Sequence, residues 1–173
     1  SAGGFRLAGA TVGDEAGGGG SLWDGFTTYD GRTLLTLMDV KGAGLPPAYL
    51  IAITRALLRE VGPEETAGTL LRRLNAATFD NLFEGLDECI EVALLQVQDG
   101  KLSWSCAGDQ PAIILRGDGT TDDTPSHGPA LGILPHFDYD VTTLELQPGD
   151  TLLAFSEAPG GMVKGAIELV RGR

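Results

Sequence analysis

Basic residues, cysteine and histidine are scarce in this chain, and long apolar runs are missing. Only 12 lysines and arginines stand against 24 aspartates and glutamates, a formal net charge of −12. Nucleic acid is therefore excluded as the expected partner, because a phosphate backbone is bound by clustered cations. Two cysteines, Cys89 and Cys106, sit in apolar surroundings. They make neither a disulfide framework nor a zinc site, and are expected to be reduced and buried. The two histidines, His127 and His136, form no ligand-spaced pair and read as loop residues. No apolar run approaches the roughly 18 residues that would span a bilayer, and no signal peptide is visible. The expectation is a cytoplasmic chain with no membrane partner. With 173 residues, 42% of them hydrophobic, and 26 glycines, residues 1–173 are read as a single domain rich in turns.

The apolar pattern changes period along the chain. Phe5–Val12 reads as a first strand and Gly13–Gly20 as a loop. Leu22–Tyr29 and Arg32–Val40 read as a hairpin around Asp30-Gly31, a two-residue turn signal. Leu50, Ile53, Leu57 and Val61 recur at helical steps and predict a helix over 45–61. Gly62-Pro63-Glu64-Glu65 ends it and opens a second helix carrying Leu70, Leu71, Leu74 and Ala77. Cys89–Val97 and Lys101–Cys106 predict a second hairpin. Pro111–Leu115, Val141–Leu146, Thr151–Phe155 and Ala166–Val170 complete a strand series. Leu34-Leu35-Thr36-Leu37-Met38 and Val92-Ala93-Leu94-Leu95 are apolar on both faces, whereas a sheet with one wet face alternates. Stacked sheets with helices outside produce that pattern. The expected fold is α+β, a four-layer α-β-β-α sandwich of mostly antiparallel sheets.

Several short motifs stand in order on this framework. They are Gly19-Gly20-Ser21-Leu22-Trp23-Asp24, Asp39-Val40-Lys41-Gly42-Ala43-Gly44-Leu45-Pro46, Leu74-Asn75, Ala107-Gly108, Gly128-Pro129-Ala130-Leu131-Gly132, and Pro148-Gly149-Asp150 leading to Ser156-Glu157-Ala158. As an ordered set the chain resembles the metal-dependent protein phosphatase family (type 2C), in its bacterial SpoIIE/RsbU-like branch, from about Phe5 to Arg173. The resemblance implies hydrolysis of phosphoserine or phosphothreonine. Two magnesium or manganese ions held by strand-end aspartates would lower the pKa of a bridging water.

The residues depart from that pattern where it carries the metals. Ser21 stands at the family's first-hairpin metal aspartate, a neutral hydroxyl in place of a carboxylate. Asp39 matches the bridging aspartate, on which metal and catalysis would both rest, and Val40 would offer its main-chain carbonyl. Glu157 replaces the aspartate of Thr-Asp-Gly and is one methylene longer. Lys164–Glu168 fits the start of the last strand without its aspartates. Asp24 matches a second hairpin aspartate. Only about ten residues separate Glu157 from Ile167, where the family inserts a helical segment, so one helical layer is expected to be reduced. Each acid keeps a plainer reading: Asp39 capping amides of the glycine loop, Glu157 a solvated loop acid, Asp24 an ordinary strand residue. Asp118, Asp122 and Asp123 lack calcium-loop spacing. Gly17–Gly20 precedes no phosphate-loop lysine.

Two functions follow from the resemblance. One is a degenerate phosphatase domain that works in bacterial signalling, sigma-factor regulation included, mainly by binding. Its partner would be a phosphorylated protein of the anti-sigma-factor-antagonist type, or a second copy of itself, and its metal affinity would be weak or absent. The alternative is an active manganese- or magnesium-dependent serine/threonine phosphatase using Asp39, Glu157 and Asp24.

Overall fold

A computed structural model describes residues 6, 8, 9, 18–43, 45–62, 65–81, 89–98, 101–124, 128–156, 165, 167 and 168. The elements run β1 (Gly18–Thr27), β2 (Thr33–Ala43), α1 (Leu45–Arg59), α2 (Ala67–Asn81), β3 (Cys89–Gln98), β4 (Lys101–Ala107), β5 (Ala112–Leu115), β6 (Thr121–Asp123), β7 (Thr142–Leu144) and β8 (Thr151–Ala154). All the pairings between these strands are antiparallel. They make a five-stranded sheet ordered β1-β2-β3-β4-β7 and a three-stranded sheet ordered β6-β5-β8.

Two cores explain why the strands are apolar on both faces. Leu34, Met38 and Val40 of β2 pack with Ile90, Val92 and Leu94 of β3 against Leu50, Leu58, Leu70, Leu71 and Leu74 of the helices. On the other face, Leu35 and Leu37 join Ala93, Leu95, Val97 and Trp104 against Ala112, Ile114 and Leu152 of the small sheet. Period-2 alternation sends successive residues to opposite faces, and here each face is covered. The expected α+β sandwich of two antiparallel sheets is the observed architecture, with α1 and α2 as the outer layer on the five-stranded sheet.

The first turn differs in length from the expectation. Thr28 N–H donates to Arg32 O at 2.7 Å and Gly31 N–H to Thr28 O at 3.0 Å. Tyr29, Asp30 and Gly31 thus form a three-residue loop, with Gly31 at φ 85°. A left-handed third residue is what such a loop requires, and glycine adopts it without strain. Pro46 and Pro47 lie in the first turn of α1, where a missing N–H costs nothing. The second helix opens later than the Gly62-Pro63 signal. Thr69 N–H donates to Thr66 Oγ1 at 3.2 Å, and Thr66 N–H donates back to Thr69 Oγ1 at 2.8 Å. This reciprocal cap satisfies two orphan donors and sets the start at Ala67.

Other boundaries are corrected by pairing that a local pattern does not carry. Arg6, Ala8 and Gly9 are not in a strand, and β1 begins at Gly18, inside the run read as a loop. Its glycines pair with the end of β2 across a register shift between Gly18 and Gly20, a bulge that glycine tolerates. β6 was missed because Thr-Asp-Asp has little strand propensity; it exists because it pairs with β5. Gly165, Ile167 and Glu168 are helical where the strand Ala166–Val170 was expected, since a short apolar run does not separate strand from helix by periodicity. His136 lies in a bend, as expected of a loop residue, and His127 falls outside the described residues. Among the described residues no helix is long and apolar enough to cross a membrane.

Of the two cysteines, Cys106 is buried and Cys89 half-buried. Burial pushes the Cys106 thiol up to about 11, against the Gln110 N–H that favours the thiolate. The thiolate is the reactive form. At pH 8 iodoacetamide should therefore modify Cys89 well before Cys106, with both reacting in urea, as read by intact mass. Equal rates in the folded protein would contradict this burial.

Candidate functional site

The strand register builds one row of residues across three strands. Ser21 of β1 pairs with Asp39 of β2, and Asp39 pairs with Glu91 of β3. Cross-strand partners share a face, and this is the face that Leu35 and Leu37 turn towards the small sheet. The row continues to the end of β4, where a side chain on Gly108 would lie 2.5 Å from Glu91 Cγ. The structure thus brings together Asp39 and the serine that stands for its expected partner carboxylate. It adds Glu91, which sequence reasoning missed. The signal for Glu91 is its place in the β2–β3 register, and that exists only once the strand order is known.

Val40 turns to the other face, where its side chain is fully buried, and it has a strand neighbour on each side, Gly20 and Ile90. Gly20 faces the same way. A side chain there would come within 2.8 Å of Ile51 Cδ1, so the motif glycine is what lets α1 lie against β1.

Asp24 is three residues from Ser21 and therefore on the opposite face of β1. Arg55 Nε donates to its Oδ2 at 2.8 Å, Arg59 Nη2 donates to the same oxygen at 2.6 Å, and Gly25 N–H donates to Oδ1 at 2.9 Å. Burial raises this carboxyl's pKa, but the hydrogen bonds from Arg59, Arg55 and Gly25 outweigh it and the net shift is down. The structure does not bring Asp24 together with Asp39. It makes Asp24 the anchor between β1 and α1.

The remaining motifs form a scaffold. Asp150, only 4% exposed, accepts from Gln147 N–H at 2.9 Å, Arg116 Nη1 at 2.8 Å and Gly117 N–H at 2.9 Å. Those bonds lower its pKa and close the turn that leads into β8 and Ser156. Asn75 is buried in α2. Its Nδ2 donates to Leu134 O at 2.8 Å and its Oδ1 accepts from Gly132 N–H at 2.9 Å. Gly128 N–H donates to Cys106 O at 3.2 Å, and Gly108 N–H donates to Gly128 O at 2.9 Å. Leu74-Asn75, Ala107-Gly108 and Gly128–Gly132 are therefore one hydrogen-bonded unit.

Two hard cations need several anionic oxygens in a shared space. Among the described residues no three His, Cys, Asp or Glu side chains come close enough to hold a metal ion. Ser21 is neutral, Asp24 is committed to two guanidinium groups, and Glu157 and Lys164 lie outside the described residues. The described donors do not fit the two-ion set. The large cleft between the sheets, about 1040 Å³, does not supply one either. Its walls are mainly apolar, Trp23, Leu35, Leu37, Trp104 and Leu152 among them, and of the two acids along it Asp24 turns its carboxylate to the α1 face and Asp150 is paired with Arg116.

Comparison with known proteins places the fold. The family model for stage II sporulation protein E (SpoIIE) matches residues 29–158. Protein IcfG of Synechocystis sp. is 22% identical over 166 residues, covering 80% of this chain and 26% of its own. Stage II sporulation protein E of Priestia megaterium is 28% identical over 149 residues, covering 82% of this chain and 25% of its own. The chain spans about a quarter of the length of these relatives. The solved RsbU and RsbW domains of Rv1364c from Mycobacterium tuberculosis superpose with a TM-score of 0.63 at 21% identity, over 81% of this chain and 39% of that one, which shows a shared fold. The family match covers about three quarters of the sequence and includes Asp39, the Asn75 unit and the Asp150 turn, and on that ground the chain belongs to the SpoIIE family.

Proposed function

We propose that residues 1–173 are a single phosphatase-fold domain of a longer cytoplasmic signalling protein. It acts mainly by holding a protein partner, and metal-dependent hydrolysis is weak or lost. The observation that carries this reading is the pairing of Ser21 with Asp39. The β1 position opposite the bridging aspartate has no carboxylate, and Asp24 faces away into Arg55 and Arg59. Two dications held by Asp39 and Glu91 alone would repel each other with little compensation. The partner class that fits is a phosphorylated signalling protein of the anti-sigma-factor-antagonist type, with a second copy of the chain as the other occupant. Sigma-factor regulation is the setting inferred for it.

The second reading, an active manganese- or magnesium-dependent serine/threonine phosphatase, draws support from Glu91, which adds a carboxylate on the strand beside Asp39. Titration with manganese by calorimetry separates the two. The first reading expects affinity weaker than about 1 mM at the second ion position, because hard ions shed water only for several anionic oxygens. It also expects Ser21→Asp to tighten binding by about tenfold or more as a carboxylate is restored next to Asp39. Two tightly held ions in the unmodified chain, with metal-dependent phosphate release abolished by Asp39→Ala, would establish the second reading instead.

A further inference from the structure

The Arg55–Asp24–Arg59 cluster has more cation than its structural task uses. Arg55 and Arg59 are one turn apart on α1, a like-charged spacing that costs stability unless something offsets it. A single carboxylate oxygen takes one bond from each, which leaves the trio with net positive charge. Among the described residues Arg55 donates only through Nε and Arg59 only through Nη2. The other guanidinium N–H groups have no protein acceptor there, and both side chains are about half exposed, at 50% and 42%. The pair is also tied to β1. Arg59 stacks over the Phe26 ring with its Cζ 4.3 Å from the centroid, and Asp24, 14% exposed, holds both heads from below. Two planar forks, side by side and open to solvent, make a receptor for an oxyanion.

The surroundings select the occupant. The chain carries a net charge of −12, which repels an extended polyanion such as nucleic acid more strongly than a short anionic segment. The same outer face of α1 exposes Ala48, Tyr49, Ala52 and Ala56. Small side chains allow a partner backbone to come close, and an exposed tyrosine offers apolar area with a polar tip. The geometry points to the outer face of α1 as a docking surface for an acidic segment of a partner protein, its carboxylates held between Arg55 and Arg59. This goes beyond the proposed function. It uses the face of the five-stranded sheet opposite Asp39 and needs neither metal nor turnover.

The test uses short fluorescein-labelled peptides read by anisotropy without metal: one with clustered aspartates, one with a single phosphoserine, and one with glutamines at those positions. The anionic peptides should bind more tightly than the glutamine peptide, with affinity falling as salt rises. The double variant Arg55→Gln/Arg59→Gln should weaken that binding at least about tenfold, while Arg72→Gln, an exposed arginine on α2, should leave it unchanged. Binding by the phosphoserine peptide with none by the aspartate peptide would overturn the acidic segment as the occupant. If the double variant melts, Arg55→Gln alone keeps the Arg59–Asp24 bond and should still weaken binding severalfold. The surface is overturned if the anionic peptides bind no better than the glutamine peptide, if the arginine variants bind like the unmodified protein, or if a single-stranded oligonucleotide binds as tightly.

Discussion

Replacing Arg32 with alanine should lower the unfolding free energy by about 2–5 kcal/mol, because two part-buried carbonyls lose their donor at about 1–3 kcal/mol each. Arg32 is 1% exposed. Its Nε donates to Asp30 Oδ1 at 3.0 Å, and its Nη2 lies 2.8 Å from Asp30 Oδ2. The same Nη2 donates to Gly62 O at 2.7 Å, and Nη1 donates to Glu65 O. One guanidinium thus ties the β1–β2 turn to the connection between α1 and α2. Alanine would leave two carbonyls without their donor and a void among packed elements. Lysine keeps the charge but lacks the fork, so Arg32→Lys should recover only part of the loss. Urea unfolding measures both. A midpoint for Arg32→Ala equal to that of the parent would mean these bonds carry no net weight.

The same pair sets a pH signature. Hydrogen bonds from Arg32, and then from Thr28, hold the Asp30 carboxyl at about 2, below its ordinary value of 3.8. A depressed carboxyl contributes stability that is present above the unfolded value and lost as pH falls through the folded one. The urea midpoint should therefore fall between about pH 4 and pH 2, and Arg32→Ala should shrink that part of the fall.

Asn75→Leu should cost about 2–4 kcal/mol, because it strips the part-buried Leu134 O and Gly132 N–H of their partner at about 1–2 kcal/mol each, the lower part of the penalty for a buried group. Leucine is close in volume, so the loss reports hydrogen bonding more than packing. Tyr139 gives the comparison. Its hydroxyl donates to Pro129 O at 3.0 Å and lies 3.4 Å from Asn75 Oδ1. Burial pushes the phenol above its ordinary range, so it stays a neutral donor. Tyr139→Phe removes one good bond and should cost about 0.5–1.5 kcal/mol. Because both residues hold the same loop, the double variant should lose less than the sum of the two single losses. Strict additivity would mean that Asn75 and Tyr139 do not act on one unit.

Sequence-level physics reached the parts of this protein where local pattern and global fold agree. Leu50, Leu70, Leu71 and Leu74 recur at helical spacing and are buried. The two-faced apolar runs of β2 and β3 announced a sheet covered on both sides, and the ordered glycine, proline and aspartate motifs announced the family. Those signals are short-range, or repeat with the period of one element, so a single chain displays them. Tertiary structure decided the rest. Thr-Asp-Asp became β6 and the glycine run joined β1 because partner strands lay alongside. Glu91 joined Asp39 because β3 pairs with β2 in one register of several the sequence allows. Asp24 left the expected site because alternation along β1 turns it towards α1, where Arg55 and Arg59 meet it from residues 31 and 35 positions away. Which carboxylates share a space depends on strand order, register and face, and a one-residue shift in register moves every side chain to the other face.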